Sequence, residues 1–139
     1  MTVVVDASVA LKWFVSEDDS EAALGLLDSP ELLIAPDLVV AEVSNAAWRA
    51  VRSGFMKPEQ QDEAASRIGF AFDELVSLAS LASRTVAISR LLAHPVYDCF
   101  YLALAEARSA TLITADRRFL LRIAGTQWEG IAQDIRRVH

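Results

Sequence analysis

An α/β fold of three layers is what this sequence predicts: a central, mostly parallel sheet of four to five strands flanked by helices. Three observations carry it. Short runs of Val, Ile and Leu, free of charge, stand at 3–5, 32–35 and 111–114, the mark of strands covered on both faces. Stretches with helical spacing separate them, and strands alternating with helices call for a parallel sheet between helical layers. Two of the strands end on a carboxylate, Asp6 and Asp116. The C-terminal edge of such a sheet is where open α/β proteins place their sites.

The elements follow in order. The first strand, 3–5, ends at Asp6. Residues 7–15 read as a helix with Val9, Leu11, Trp13 and Phe14 apolar and Lys12 polar, and 16–20 is an acidic break. Ser20 and Glu21 suit a helix start, and this helix reaches about Leu27 and stops before Pro30. The second strand, 32–35, is closed by Pro36. Asp37 is expected to cap a long helix through Arg52, with Gly54 as its stop. Glu42 lies one turn in, on a face with Asn45, Ala46 and Arg49. Pro58 opens a helix to about 75, a third strand is expected at 76–78, and 82–93 is helical until His94-Pro95 breaks it. The next helix opens on Asp98 and leads into the strand at 111–114. Residues 117–124 form a short helix, and an edge strand is expected near Ile131. No repeat, low-complexity segment or linker interrupts the chain, so 1–139 reads as one domain.

At 139 residues and 53% hydrophobic content the chain can bury a sizeable core, with apolar surface left for a partner. No apolar run reaches a membrane span, and Asp6 and Lys12 interrupt the apolar N-terminus, so neither anchor nor secretory leader is expected. Cys99 is the single cysteine, which points to a reducing cytoplasm. The net charge of −6 argues against a nonspecific nucleic-acid binder. The charge is uneven, however: residues 1–75 hold 14 acids and 5 bases, whereas 76–139 hold 5 acids and 8 bases. A phosphate-bearing substrate at the second half is therefore compatible with the sequence.

Four acids can converge on one cleft. Asp6 and Asp116 follow strands whose ends share an edge if the strands are neighbours, and Glu42 and Asp98 can reach that edge from flanking helices. Mg²⁺ and Mn²⁺ prefer oxygen ligands, keep several waters and bind through few carboxylates plus substrate phosphate. The plain alternative is that each Asp is a helix cap. Two like charges ~4 Å apart repel by roughly 4 kcal/mol at an effective dielectric near 20, so acids that do cluster call for a cation or a basic partner.

Val-Val-Asp-Ala-Ser at 4–8, Pro-Asp-Leu-Val-Val-Ala-Glu-Val-Ser-Asn-Ala at 36–46, Tyr-Asp-Cys-Phe-Tyr-Leu-Ala-Leu-Ala at 97–105 and Leu-Ile-Thr-Ala-Asp-Arg-Arg-Phe at 112–119 resemble, in order and spacing, the four motifs of PIN-domain ribonucleases. Within that family the chain looks most like the VapC-type toxins of toxin–antitoxin pairs. The resemblance implies an endoribonuclease dependent on Mg²⁺, with Mn²⁺ able to substitute, that cuts RNA with metal-activated water. It implies Asp6, Glu42, Asp98 and Asp116 as the catalytic tetrad. Asp6 and Asp98 would be the more direct metal ligands, with Asp116 and Glu42 acting partly through water. Ser8 and Thr114 match small polar positions that orient the tetrad. A homodimer and a neutralising VapB-type antitoxin are implied as well. Two departures, His94-Pro95 before the Tyr-Asp motif and a weakly marked last strand, touch edge geometry and not the acids.

Several residues have a blander reading. Asn45 could bond near the site or be solvated, and Arg117 and Arg118 could meet RNA phosphates or water. Trp13 and Phe14 read as core or partner groove, Trp48 and Phe55 as core or dimer contact. Cys99 and His94 read as structural, because one His without a second His or Cys nearby makes no zinc site. Among rival functions, a haloacid-dehalogenase-like phosphatase would want a second Asp two places after Asp6, where Ser8 stands. A receiver domain would want a Lys at a late strand end, and the only lysines are Lys12 and Lys57. A catalytically silent binding partner would not need four intact acids. A housekeeping RNA-processing nuclease differs from a toxin by lacking a small upstream gene for a DNA-binding antitoxin.

Overall fold

The computed structural model of the chain describes residues 1–138; His139 lies outside the described residues. Five strands form one sheet in the order β3-β2-β1-β4-β5, and every pairing is parallel. The strands are β1 (Thr2–Val5), β2 (Leu32–Pro36), β3 (Glu74–Val76), β4 (Thr111–Thr114) and β5 (Ala132–Asp134). The helices are α1 (Ala7–Ala10), α2 (Ser20–Leu27), α3 (Leu38–Arg52), α4 (Pro58–Arg67), α5 (Leu78–Leu92), α6 (Val96–Arg108) and α7 (Arg117–Ile123).

The chain steps one way across the sheet from β1 to β3 and returns past β1 to β4 and β5. Right-handed crossovers then place α1–α4 on one face and α5–α7 on the other. The packing agrees: α6 lies on β1, β2 and β4 beside α5, while α3 packs on α1, α4 and β2. Val4, Val5 and Leu112 are fully buried between the layers. Each such side chain taken out of water contributes about 1.5–3 kcal/mol, which selects the β-branched and aliphatic runs for the middle of the sheet.

The outer elements differ in detail from expectation. The first helix is α only to Ala10 and tightens into a 3₁₀ turn over Leu11–Trp13. The helix that opens at Pro58 ends at Arg67 and not near 75. The third strand then lies at 74–76, two residues earlier than expected, and the following helix begins at Leu78, capped by the Ser77 hydroxyl. The cause is tertiary: Asp73 accepts from the Leu33 N–H at 2.8 Å and donates its own N–H to the Leu33 carbonyl, docking Glu74–Val76 onto β2. Asp37 precedes α3 but its side chain makes no capping bond. Instead its N–H donates to the Val76 carbonyl at 2.9 Å and ties the start of α3 to the end of β3. Trp48 and Phe55 are exposed, so neither belongs to the core.

Candidate active site

The chain leaves β1 toward one face of the sheet and leaves β4 toward the other, and these two strands are neighbours. A crevice opens where connections diverge in this way, outside the strand C-termini. Val5 pairs with Ile113, so the next residues along, Asp6 and Thr114, face each other across the crevice.

Asp6 is buried and N-caps α1, a local arrangement that follows from an Asp placed directly before a short helix. Its Oδ2 accepts from the Ser8 N–H at 3.3 Å, from the Ser8 hydroxyl and from the Thr114 hydroxyl at 3.0 Å. Oδ1 takes no protein donor among the described residues. Ser8 Oγ also accepts the Ala115 N–H at 3.0 Å, and Thr114 Oγ1 accepts the Asp116 N–H at 3.1 Å. Two small hydroxyls thus stitch the end of β1 to the turn after β4. Asp116 itself caps α7 by accepting the Phe119 N–H at 3.1 Å.

Glu42 projects from α3 and is half-buried; its Oε1 accepts the Tyr101 hydroxyl at 2.6 Å. Asp98 stands in the first turn of α6, where the helix dipole favours an anion. Its Oδ2 lies 2.7 Å from His94 Nε2.

Electrostatics binds three of the acids into one unit. Burial pushes Asp6 up to about 6 from an ordinary 3.8, with the charge of Asp98 adding to it against the bonds from Ser8 and Thr114. Burial likewise pushes Glu42 up to about 7, opposed by the Tyr101 hydroxyl and reinforced by the charges of Asp6 and Asp98. Tyr101 is held well above its usual range by burial first and then by Asp6, Glu42 and Asp98. Carboxylates pushed up by burial and by a neighbouring charge in a crevice mark a candidate functional site. Asp116 stands at the margin: it is tied to Asp6 through Thr114, but its charge is not among those that raise Asp6 or Glu42.

The remaining candidates fall outside this network. Asn45 is exposed and makes no side-chain hydrogen bond among the described residues. Arg117 and Arg118 are exposed in the first turn of α7, and the Arg117 charge reaches Asp134 at the end of β5. Two residues of the site escaped the sequence reading. Tyr101 is fully buried, and its place one turn after Asp98 in an apolar helix meant that its hydroxyl needed a partner. His94 lies four residues before Asp98, a spacing that brings side chains together at a helix start.

Among the described residues, no three His, Cys, Asp or Glu side chains are gathered closely enough to hold a metal ion between them. The donor set nonetheless fits a hard cation such as Mg²⁺, which keeps its waters and takes one or two carboxylates plus substrate oxygens. The free Oδ1 of Asp6, the partner-poor Asp98 and the mutually repelling charges are what such an ion would satisfy.

The family model described as "PIN domain" matches residues 3–125. Ribonuclease VapC3 of Pyrobaculum aerophilum is 31% identical over 120 residues, covering 85% of this chain and 92% of that protein. Among solved structures, PAE2754 from the same organism superposes with a TM-score of 0.67 at 19% identity, over 98% of this chain and 85% of that one. A chain of a toxin–antitoxin complex from Klebsiella pneumoniae superposes with a TM-score of 0.65 at 18% identity, over 90% and 92%.

Proposed function

The chain belongs to the PIN-domain family, and on that premise we propose that it is a Mg²⁺-dependent endoribonuclease, the toxin of a type II toxin–antitoxin pair acting in the cytoplasm. The observation that carries the reading is the charge-coupled group at the strand C-termini, with Asp6 buried and Glu42 and Asp98 half-buried beside it. The named relative, a VapC ribonuclease, and the toxin–antitoxin structure support the choice of substrate and of partner class.

Asp6 and Asp98 are the residues to hold the metal, with Asp116 contributing at the margin through water. A bound Mg²⁺ supplies positive charge that polarises a phosphodiester and acidifies water. The chain's own residues set the stage. Ser8 and Thr114 fix one oxygen of Asp6 and leave the other without a protein donor among the described residues. Tyr101 keeps the Glu42 carboxylate turned toward Asp6 and Asp98. Arg117 and Arg118, exposed in the first turn of α7, would meet RNA phosphates. The chain acts as a homodimer, as one PIN domain over 1–139, and a VapB-type antitoxin neutralises it.

The test is cleavage of RNA by the purified chain with Mg²⁺ or Mn²⁺ and with chelator. Cleavage that requires the ion, together with growth arrest on expression without the antitoxin, is the expected result. No cleavage with any divalent ion refutes the nuclease reading. An active enzyme that leaves growth untouched replaces the toxin with a housekeeping nuclease.

A further inference from the structure

We propose that His94 is a positioning residue, holding the Asp98 carboxylate at the crevice and bracing it against the helix that Asp116 caps. The inference rests on the metal-dependent reading above and adds a residue to it.

Three observations carry it. The backbone of His94 is fastened on both sides by one residue: its N–H donates to the Ser89 carbonyl at 3.1 Å, and its carbonyl accepts the Ser89 hydroxyl. The preceding Ala93, at φ 52°, ends α5 in the left-handed conformation and turns the chain sharply so that His94 leads into α6. The ring then does two things. Nε2 lies 2.7 Å from Asp98 Oδ2, and because a carboxylate only accepts, Nε2 carries the hydrogen. The ring also packs on Phe119, centroids 5.2 Å apart, and the Phe119 N–H is the one that Asp116 accepts. Asp98, His94, Phe119 and Asp116 thus form a continuous chain of contacts from α6 to α7.

Asp98 has no other side-chain donor among the described residues, whereas Asp6 has two hydroxyls and Glu42 has Tyr101. Without His94, no side-chain donor among the described residues would hold the Asp98 carboxylate in one rotamer. An N–H donor fixes a ligand oxygen without setting a permanent cation beside it, as the outer partners of metal ligands do.

The test compares His94→Phe, which keeps the stack on Phe119 but has no donor, with His94→Gln, which restores a donor of similar reach. Mn²⁺ is titrated into the RNA-free protein and followed by calorimetry and by the loss of free-ion spin resonance. The expected result is binding weaker by about tenfold or more in His94→Phe and within about threefold of the parent in His94→Gln. Parental Mn²⁺ affinity in His94→Phe overturns the assignment, and so does a loss in His94→Gln as large as in His94→Phe. Should His94→Phe fail to melt cooperatively, His94→Gln decides alone by the same threefold limit. A parent that binds no Mn²⁺ brings down the metal-dependent function itself, a result distinct from either.

Discussion

Two acidic concavities on this molecule make opposite use of their charge. One, a groove of about 1220 Å³ beside α2 and the starts of β1 and β4, is lined by Glu17, Asp18, Asp19, Glu21 and Glu31. Glu17, Asp18 and Glu21 stand toward water, and two of the groove's acids meet cations: Glu17 with Lys12 at 3.4 Å, Glu31 with the N-terminal amine at 3.2 Å. The crevice at the strand C-termini has fewer acids, but Asp6 and Glu42 are pushed up by burial and by neighbouring charge, and hydroxyl and ring N–H donors steady Asp6, Glu42 and Asp98. A count of acids therefore does not mark the site. Burial that nothing on the chain neutralises does.

Asp98→Asn should break the contrast most severely. RNA cleavage should fall at least about a thousandfold, about 4 kcal/mol of barrier, with an unchanged circular dichroism spectrum. In the groove, Asp18→Asn with Glu21→Gln should leave the rate within about twofold, and near-equal losses in the two places would erase the distinction.

The next effect is on stability in chelator. A folded-state pKa raised from 3.8 to about 6 means that folded Asp6 holds its proton more tightly than the unfolded chain does. Its ionisation therefore destabilises the fold as pH rises through that window, by on the order of 3 kcal/mol. Glu42 acts in the same direction up to about 7, less strongly because it is partly solvated. Metal-free protein should melt higher at pH 5 than at pH 8. Asp6→Asn should be at least as stable as the parent at pH 8, and saturating Mn²⁺ should recover stability there. A pH-independent melting temperature, or a clear loss in Asp6→Asn, would contradict a crowded cluster.

Tyr101→Phe should come third. It strips a donor from a carboxylate that is already desolvated, at about 1.5–3 kcal/mol for a bond to a charged group, and should lower cleavage about tenfold. Glu17→Gln, at an exposed pair, should move the melting free energy by less than about 0.5 kcal/mol, read from urea titrations.

The sheet was legible because its central strands are written as uninterrupted apolar runs, and the positions of the acids followed from where those runs end. β3 was legible only in outline. Its register depends on Asp73 reaching Leu33 across 40 residues, which no local pattern announces. Asp37 failed as a cap because its backbone, and not its side chain, anchors α3. The donors around the acids were harder still. Tyr101 and Glu42 are 59 positions apart and meet only because α3 and α6 converge on the same sheet edge. His94 read as a helix breaker, and its second task appears only when Asp98 and Phe119 are placed beside it.

The first strand made is the middle one of the sheet, with β2 on one flank and β4 on the other. Long-range parallel pairing of this kind forms late. During synthesis Asp6 therefore emerges early and waits, its Thr114 hydroxyl still untranslated for more than a hundred codons. A chain still on the ribosome short of that point cannot close the Asp6–Thr114 bond, so the crevice is assembled only once nearly the whole polypeptide has been made.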